Sequence, residues 1–105
     1  MYFTYVLRSA KDFGFYVGFT KDLKLRFEQH QKGSVESTKD RRPLRLIYYE
    51  ACLNEQDAKA REKYLKTSMG MRVIKKQLAN YLLAPQQGHR SIIPNIHVKI
   101  CPTKL

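Results

Sequence analysis

The sequence predicts one small α+β domain, a three-stranded antiparallel sheet flanked by helices. Three observations carry that prediction. Aromatic and β-branched runs at 2–8 (YFTYVLR) and 15–19 (FYVGF) flank a turn, and a third run (LRLIYYEAC) fills 44–52. The stretches after the second and third runs carry helix caps and helical periodicity. The expected order is β-β-α-β-α-α, with the helices packed against the sheet.

Each element has its own local reason. Asp12 and Gly14 are turn formers between the first two runs, so these pair as a β-hairpin. If Ser9 pairs near Gly14, Tyr5 stands opposite Gly18 and diagonal to Tyr16. Asp22 is suited to capping a first helix that runs to about Lys32, with Gly33 as its C-terminal stop. Leu23, Arg26, Phe27 and His30 share one face of that helix. Residues 34–43 are polar, basic and closed by Pro43, which predicts an exposed loop. Asn54 caps a second helix to about Lys66, with Ala58, Arg61, Glu62 and Leu65 on its inward stripe. A third helix is expected over roughly 70–83, with Ile74, Leu78, Tyr81 and Leu82 inward and Lys75 and Lys76 outward. Residues 1–83 then form the domain. Residues 84–105 form a basic extension, expected to be extended or mobile with room for one added strand within 92–100.

Length and charge narrow the function. A chain of 105 residues fits one domain. No apolar run approaches the roughly 20 residues of a membrane-spanning helix, and Met1 to Arg8 does not resemble a secretory leader. Cys52 and Cys101 lie far apart without CxxC spacing, which argues against a disulfide framework or a structural zinc site and for a reducing cytoplasm. The net charge of +11 points to a polyanionic partner, nucleic acid before a membrane surface. All nine acids fall within 1–62, and residues 63–105 hold eight bases and no acid. So complete an asymmetry favours a phosphate-facing surface over random solvation.

Five chemically able side chains are predicted to converge: Tyr5 and Tyr16 from the hairpin, Arg26 and His30 from the first helix, Glu62 from the second. Singly, each has a packing explanation. A strand Tyr packs across strands, a lone His is more often a buried hydrogen-bonding residue, and an inward Arg pairs with a carboxylate, for which Glu62 would serve. Together they are harder to explain so, because burying Arg, His and Glu costs several kcal/mol unless they are paired or used.

Phe3-Thr4-Tyr5, ten intervening residues and then Tyr16-Val17-Gly18 resembles the signature of the GIY-YIG endonuclease superfamily. Asp22-Leu23-Lys24-Leu25-Arg26 with His30 looks like its first-helix motif, and Ala60-Arg61-Glu62 with Lys66 looks like its second. The compact form is similar to the small stand-alone bacterial members and to the N-terminal nuclease domain of the bacterial excinuclease. The resemblance implies metal-dependent hydrolysis of a DNA phosphodiester, in repair or recombination. Carried over, Glu62 would hold one divalent ion, Mg²⁺ with Mn²⁺ as the alternative. Arg26 would neutralise charge on the phosphate, and Tyr5, Tyr16 or His30 would serve as the base. His30 would have its ordinary near-neutral pKa, whereas a Tyr base would need the metal or Arg26 to lower it. Gly18 would let substrate or a facing helix come close. Two departures stand out: Phe3 at the first glycine position, and Phe19 where some members carry Lys.

Binding beyond the site is expected from Arg41, Arg42, Arg45, Lys75 and Lys76, acting on phosphates and therefore with little sequence specificity. The partner expected is DNA, with RNA not excluded and no membrane. A protein partner or a second copy could dock on the tail. The alternatives to an enzyme are a non-catalytic nucleic-acid-binding module and a partner-dependent subunit that retains the fold.

Overall fold

A computed structural model describes residues 1–83 and the backbone of 98–100. Its elements are β1 (Tyr2–Ser9), β2 (Phe15–Thr20), α1 (Leu23–Lys32), a 3-10 turn (Lys39–Arg41), β3 (Leu44–Cys52), α2 (Glu55–Leu65), α3 (Ser68–Gln77), α4 (Ala79–Leu83) and β4 (Val98–Ile100). The three antiparallel strands and their flanking helices are those the sequence predicts. A fourth strand extends the sheet: the order is β2-β1-β3-β4, with β4 parallel to β3. The expectation of an extended or mobile tail otherwise lies outside the described residues.

Strand β1 is central, and its run from Thr4 to Leu7 is buried throughout because both faces of the sheet are covered. Tyr5 and Leu7 join Leu23 and Phe27 of α1 and Leu44 and Leu46 of β3 on one face. Val6 and Val17 join Ile47, Tyr48, Leu65 and Ile74 on the other, under α2 and α3. The pairing of β1 with β3 steps from Val6↔Tyr48 to Leu7↔Leu46, leaving Ile47 as the extra residue of a β-bulge. The bulge sends both Ile47 and Tyr48 to the α2–α3 face, which a regular strand could not do.

The helix caps are those the sequence supplies. Asp22 accepts from Leu25 N, Asn54 accepts from Gln56 N and Asp57 N, and Gly33 closes α1 in the left-handed region at φ 81°. Thr67 both donates to Tyr64 O and accepts from Gly70 N, turning the chain from α2 into α3. Two expectations are corrected. The third helix is interrupted at Leu78 (φ −100°, ψ 18°), and the turn there lets Leu78 and Tyr81 pack back on the cluster around Ile74. The 34–43 segment is not simply an exposed loop, for Val35 and Thr38 are buried. The cysteine reading also changes. Cys52 is buried and disulfide-bonded, which removes the thiol-based argument for a reducing compartment; Cys101 lies outside the described residues.

Helix α2 is fixed to the sheet by polar contacts as well as by Ala58 and Leu65. Thr4 Oγ1 donates to Ala58 O at 2.7 Å. Glu50 of β3 has no solvent exposure and accepts from Arg61 Nε (2.9 Å) and Nη2 (2.6 Å) and from Tyr48 Oη (2.8 Å). Such a pair is worth little against an apolar replacement, but removing one partner strands a buried charge. Arg61→Leu should therefore destabilise the fold by about 3 kcal/mol, and the double variant Glu50→Gln/Arg61→Leu should regain most of that in urea unfolding.

Candidate active site

The hairpin register places Tyr5 opposite Gly18, as the spacing predicts, and this pairing shapes the site. A Cβ at position 18 would overlap the Tyr5 ring at Cζ and Oη. Gly18 therefore makes room for the Tyr5 ring to lie across β2; its close neighbour is that ring rather than a facing helix. Tyr16 lies diagonal to Tyr5, with ring centroids 6.4 Å apart.

From α1, His30 reaches both tyrosines. Its ring centroid is 5.7 Å from that of Tyr5 and 5.2 Å from that of Tyr16, edge-on to each. His30 Nε2 is 2.8 Å from Tyr5 Oη, and Nδ1 is 2.8 Å from Thr38 Oγ1. His30 and Thr38 have no solvent exposure and Tyr5 only 1%. Burial and then the Arg26 charge hold the His30 pKa down at about 4, so the ring is neutral at pH 7. This corrects the expectation of a near-neutral pKa. A neutral ring accepts at one nitrogen and donates at the other, and the Tyr5 and Thr38 hydroxyls can each fill either role.

Tyr5 departs from expectation in the opposite direction. Burial pushes its phenol up to about 12, and the Arg26 guanidinium beside it offsets only part of the rise. Tyr16 and Glu62 add further upward pressure through their charges. Tyr5 is hydrogen-bonded to His30 and to Arg26, and the charges of Tyr16, Arg26 and Glu62 act on its phenol.

Arg26 and Glu62 form the wetter rim. Arg26 Nη1 donates to Gln29 Oε1 at 3.1 Å, on its own helix. Glu62 pairs with Lys66 one turn on, at 3.1 Å, and a quarter of its side chain is exposed. The packing explanation for Arg26, a partnership with Glu62, is thus not the arrangement found, since Lys66 takes that place. A part-exposed carboxylate such as Glu62 can hold a hard cation, and a guanidinium such as Arg26 can stabilise negative charge on a phosphate.

The remaining predicted bases are spread. Arg41 is tied to Asp12 at 3.0 Å, and Arg42 Nε donates to Lys39 O at 2.9 Å, both beside the hairpin turn and the 3-10 segment. Arg45 pairs across the sheet with Arg8. Lys75 and Lys76 are exposed on α3. Sequence reasoning missed Thr38, Glu50 and Gln29. Thr38 sat in a polar loop whose one large apolar residue, Val35, was the available sign of an anchor. Glu50 was a charge at an inward strand position, and its natural partner, Arg61, stood on the inward stripe of the next helix.

Comparison with known proteins agrees with this architecture. Residues 1–72 match the family described as the GIY-YIG catalytic domain. Among curated relatives, a UPF0213 protein of Clostridium perfringens is 36% identical over 67 residues, covering 63% of this chain and 71% of the relative. A UPF0213 protein of Pediococcus pentosaceus is 44% identical over 66 residues, covering 62% and 68%. One of Limosilactobacillus reuteri is 43% identical over 68 residues, covering 62% and 70%. No solved structure gives a significant match.

The buried ring of His30 has a measurable signature. It titrates at about 4 in the fold against 6.5 when free. Between those values the unfolded chain binds a proton that the fold refuses, so stability is full above pH 6.5 and falls toward pH 4. The His30 share of that loss is up to roughly 3 kcal/mol. Urea unfolding from pH 7 to 4 should show it as a slope that is flatter in His30→Gln.

Proposed function

The chain belongs to the GIY-YIG family, and on that premise we propose that it is a divalent-metal-dependent endonuclease acting on DNA. The observation that carries this reading is the mutual contact of Tyr5, Tyr16 and His30, with Arg26 hydrogen-bonded to Tyr5 and the Glu62 charge acting on it. A module that only binds DNA has little use for Glu62 there, since its carboxylate repels phosphate and takes up the Lys66 charge at 3.1 Å.

Among the described residues, no three His, Cys, Asp or Glu side chains gather into a metal cage. A single accessible carboxylate suits Mg²⁺, which keeps several waters and binds through one or two carboxylates plus substrate phosphate; Mn²⁺ fits the same donor. Glu62 would hold the ion, which would supply polarisation of the phosphate and charge stabilisation for the leaving 3′ oxygen. Arg26 neutralises the charge that builds on the non-bridging oxygens, for which a permanent planar cation is suited. Tyr16, half-buried and not hydrogen-bonded to His30, orients the attacking water and can take its proton only as the phenolate, having first lost its own proton to solvent under the influence of nearby positive charge. Tyr5 keeps its own proton at neutral pH and serves to orient. His30 acts through Tyr5, fixing its phenol, with Thr38 fixing the ring in turn.

Specificity follows from the charge. Phosphate contacts register position without reading sequence, so cleavage depends on DNA shape more than on base order. Repair or recombination supplies substrates of that kind, and a DNA substrate suits a cytoplasmic protein. Plasmid and branched DNA incubated with Mg²⁺ or Mn²⁺ test the proposal. Glu62→Gln and Arg26→Ala should each lower cleavage by about 10²–10³-fold with unchanged circular dichroism, and Tyr16→Phe should cost more than Tyr5→Phe. Cleavage that persists in Glu62→Gln would overturn it.

A further inference from the structure

An open groove of about 650 Å³ runs between β2 and α3 and begins at the site itself, for Tyr16 and Lys66 are among its walls. We propose that this groove seats a single unpaired DNA strand next to the scissile phosphate. The inference rests on the endonuclease reading and adds to it the path and form of the substrate.

Charge comes first. Lys66, Arg72 and Lys75 line the groove, and no acid does. Of the three, Lys66 is shared with Glu62, whereas several cations elsewhere are held by acids: Arg41 by Asp12, Arg61 by Glu50, Lys59 by Glu55 and Lys39 by Glu36. Among the described residues, Arg72 and Lys75 have no ion-pair partner and both are exposed. Shape is the second argument. The volume lies within the range of pockets that hold one small ligand, enough for a nucleotide or two and far too small for a duplex. The lining chemistry is the third. Phe15 and Met71 give the groove an apolar side, and Lys75 Nζ stands 5.0 Å from the Phe15 ring centroid. Cations beside an aromatic surface are the pairing that holds single strands, phosphate on the charge and base or sugar on the ring. A duplex buries its bases and could offer this groove only its backbone.

Fluorescence anisotropy in EDTA, where no cleavage occurs, tests the inference with a labelled oligothymidylate and a hairpin duplex. Arg72→Ala/Lys75→Ala should bind the oligothymidylate about tenfold more weakly. Its log–log salt slope should be shallower by roughly 1.4, two phosphate contacts at about 0.7 each. Both residues are exposed, so circular dichroism should be unchanged. The charge-matched control Lys32→Ala/Lys63→Ala should show a clearly smaller loss. Equal losses in the two variants, a loss confined to the duplex, or wild-type protein that binds duplex but not the oligothymidylate would each overturn the groove proposal. Wild-type cleavage of DNA alongside any of these would leave the endonuclease reading standing, whereas absence of cleavage with intact groove binding would remove that reading alone.

Discussion

A carboxylate with no exposure in the middle of a sheet has to be paired, and the pairing of Glu50 with Arg61 sets the placement of everything above it. Two hydrogen bonds to one guanidinium fix distance and rotation together, which apolar contacts such as Ala58 and Leu65 do less sharply. Arg61 and Glu62 are neighbours on α2, so locking one to the sheet decides where the other projects. The helix is thereby held at one end by the Asn54 cap, in the middle by Thr4 and Ala58, and near its far end by Arg61.

The site itself is ordered by a gradient of burial. At its dry end, Thr38, His30 and Tyr5 form a hydrogen-bonded chain in which no group ionises near pH 7. At its wet end stand Arg26 and Glu62, partly exposed, and Lys66, exposed. This division makes physical sense for a group of facing polar residues. The buried members are kept neutral, where desolvation would penalise charge most, and the charged members stand where water or a substrate phosphate can reach them.

Most of the fold was legible because its signals are local. The Asp22 and Asn54 caps, the Gly33 stop and the Asp12/Gly14 turn each depend on a few neighbouring residues, and each appears in the structure. The meeting of Tyr5 and Tyr16 with His30 was legible too, since period and hairpin register put them on facing surfaces. What escaped depends on tertiary burial. Nothing in the sequence around Thr38 says that it will be enclosed against His30. A pKa of about 4 or about 12 arises from the summed desolvation of neighbours that spacing cannot count. The break at Leu78 has no glycine or proline to announce it, and it leaves Leu78 and Tyr81 packed on the cluster around Ile74.

The sheet has two edges, and they are treated differently. The β3 edge is taken up by β4, whereas β2 pairs only with β1 among the described residues. A strand of six residues rich in aromatics, with no described strand on its outer edge, is a template on which a second copy could add, the usual beginning of aggregation. No proline guards it. With a net charge of +11, however, two copies approaching along this edge repel each other. The protein's basicity thus works against edge-to-edge association apart from any partner, and it does so less well as salt shortens the range of the repulsion.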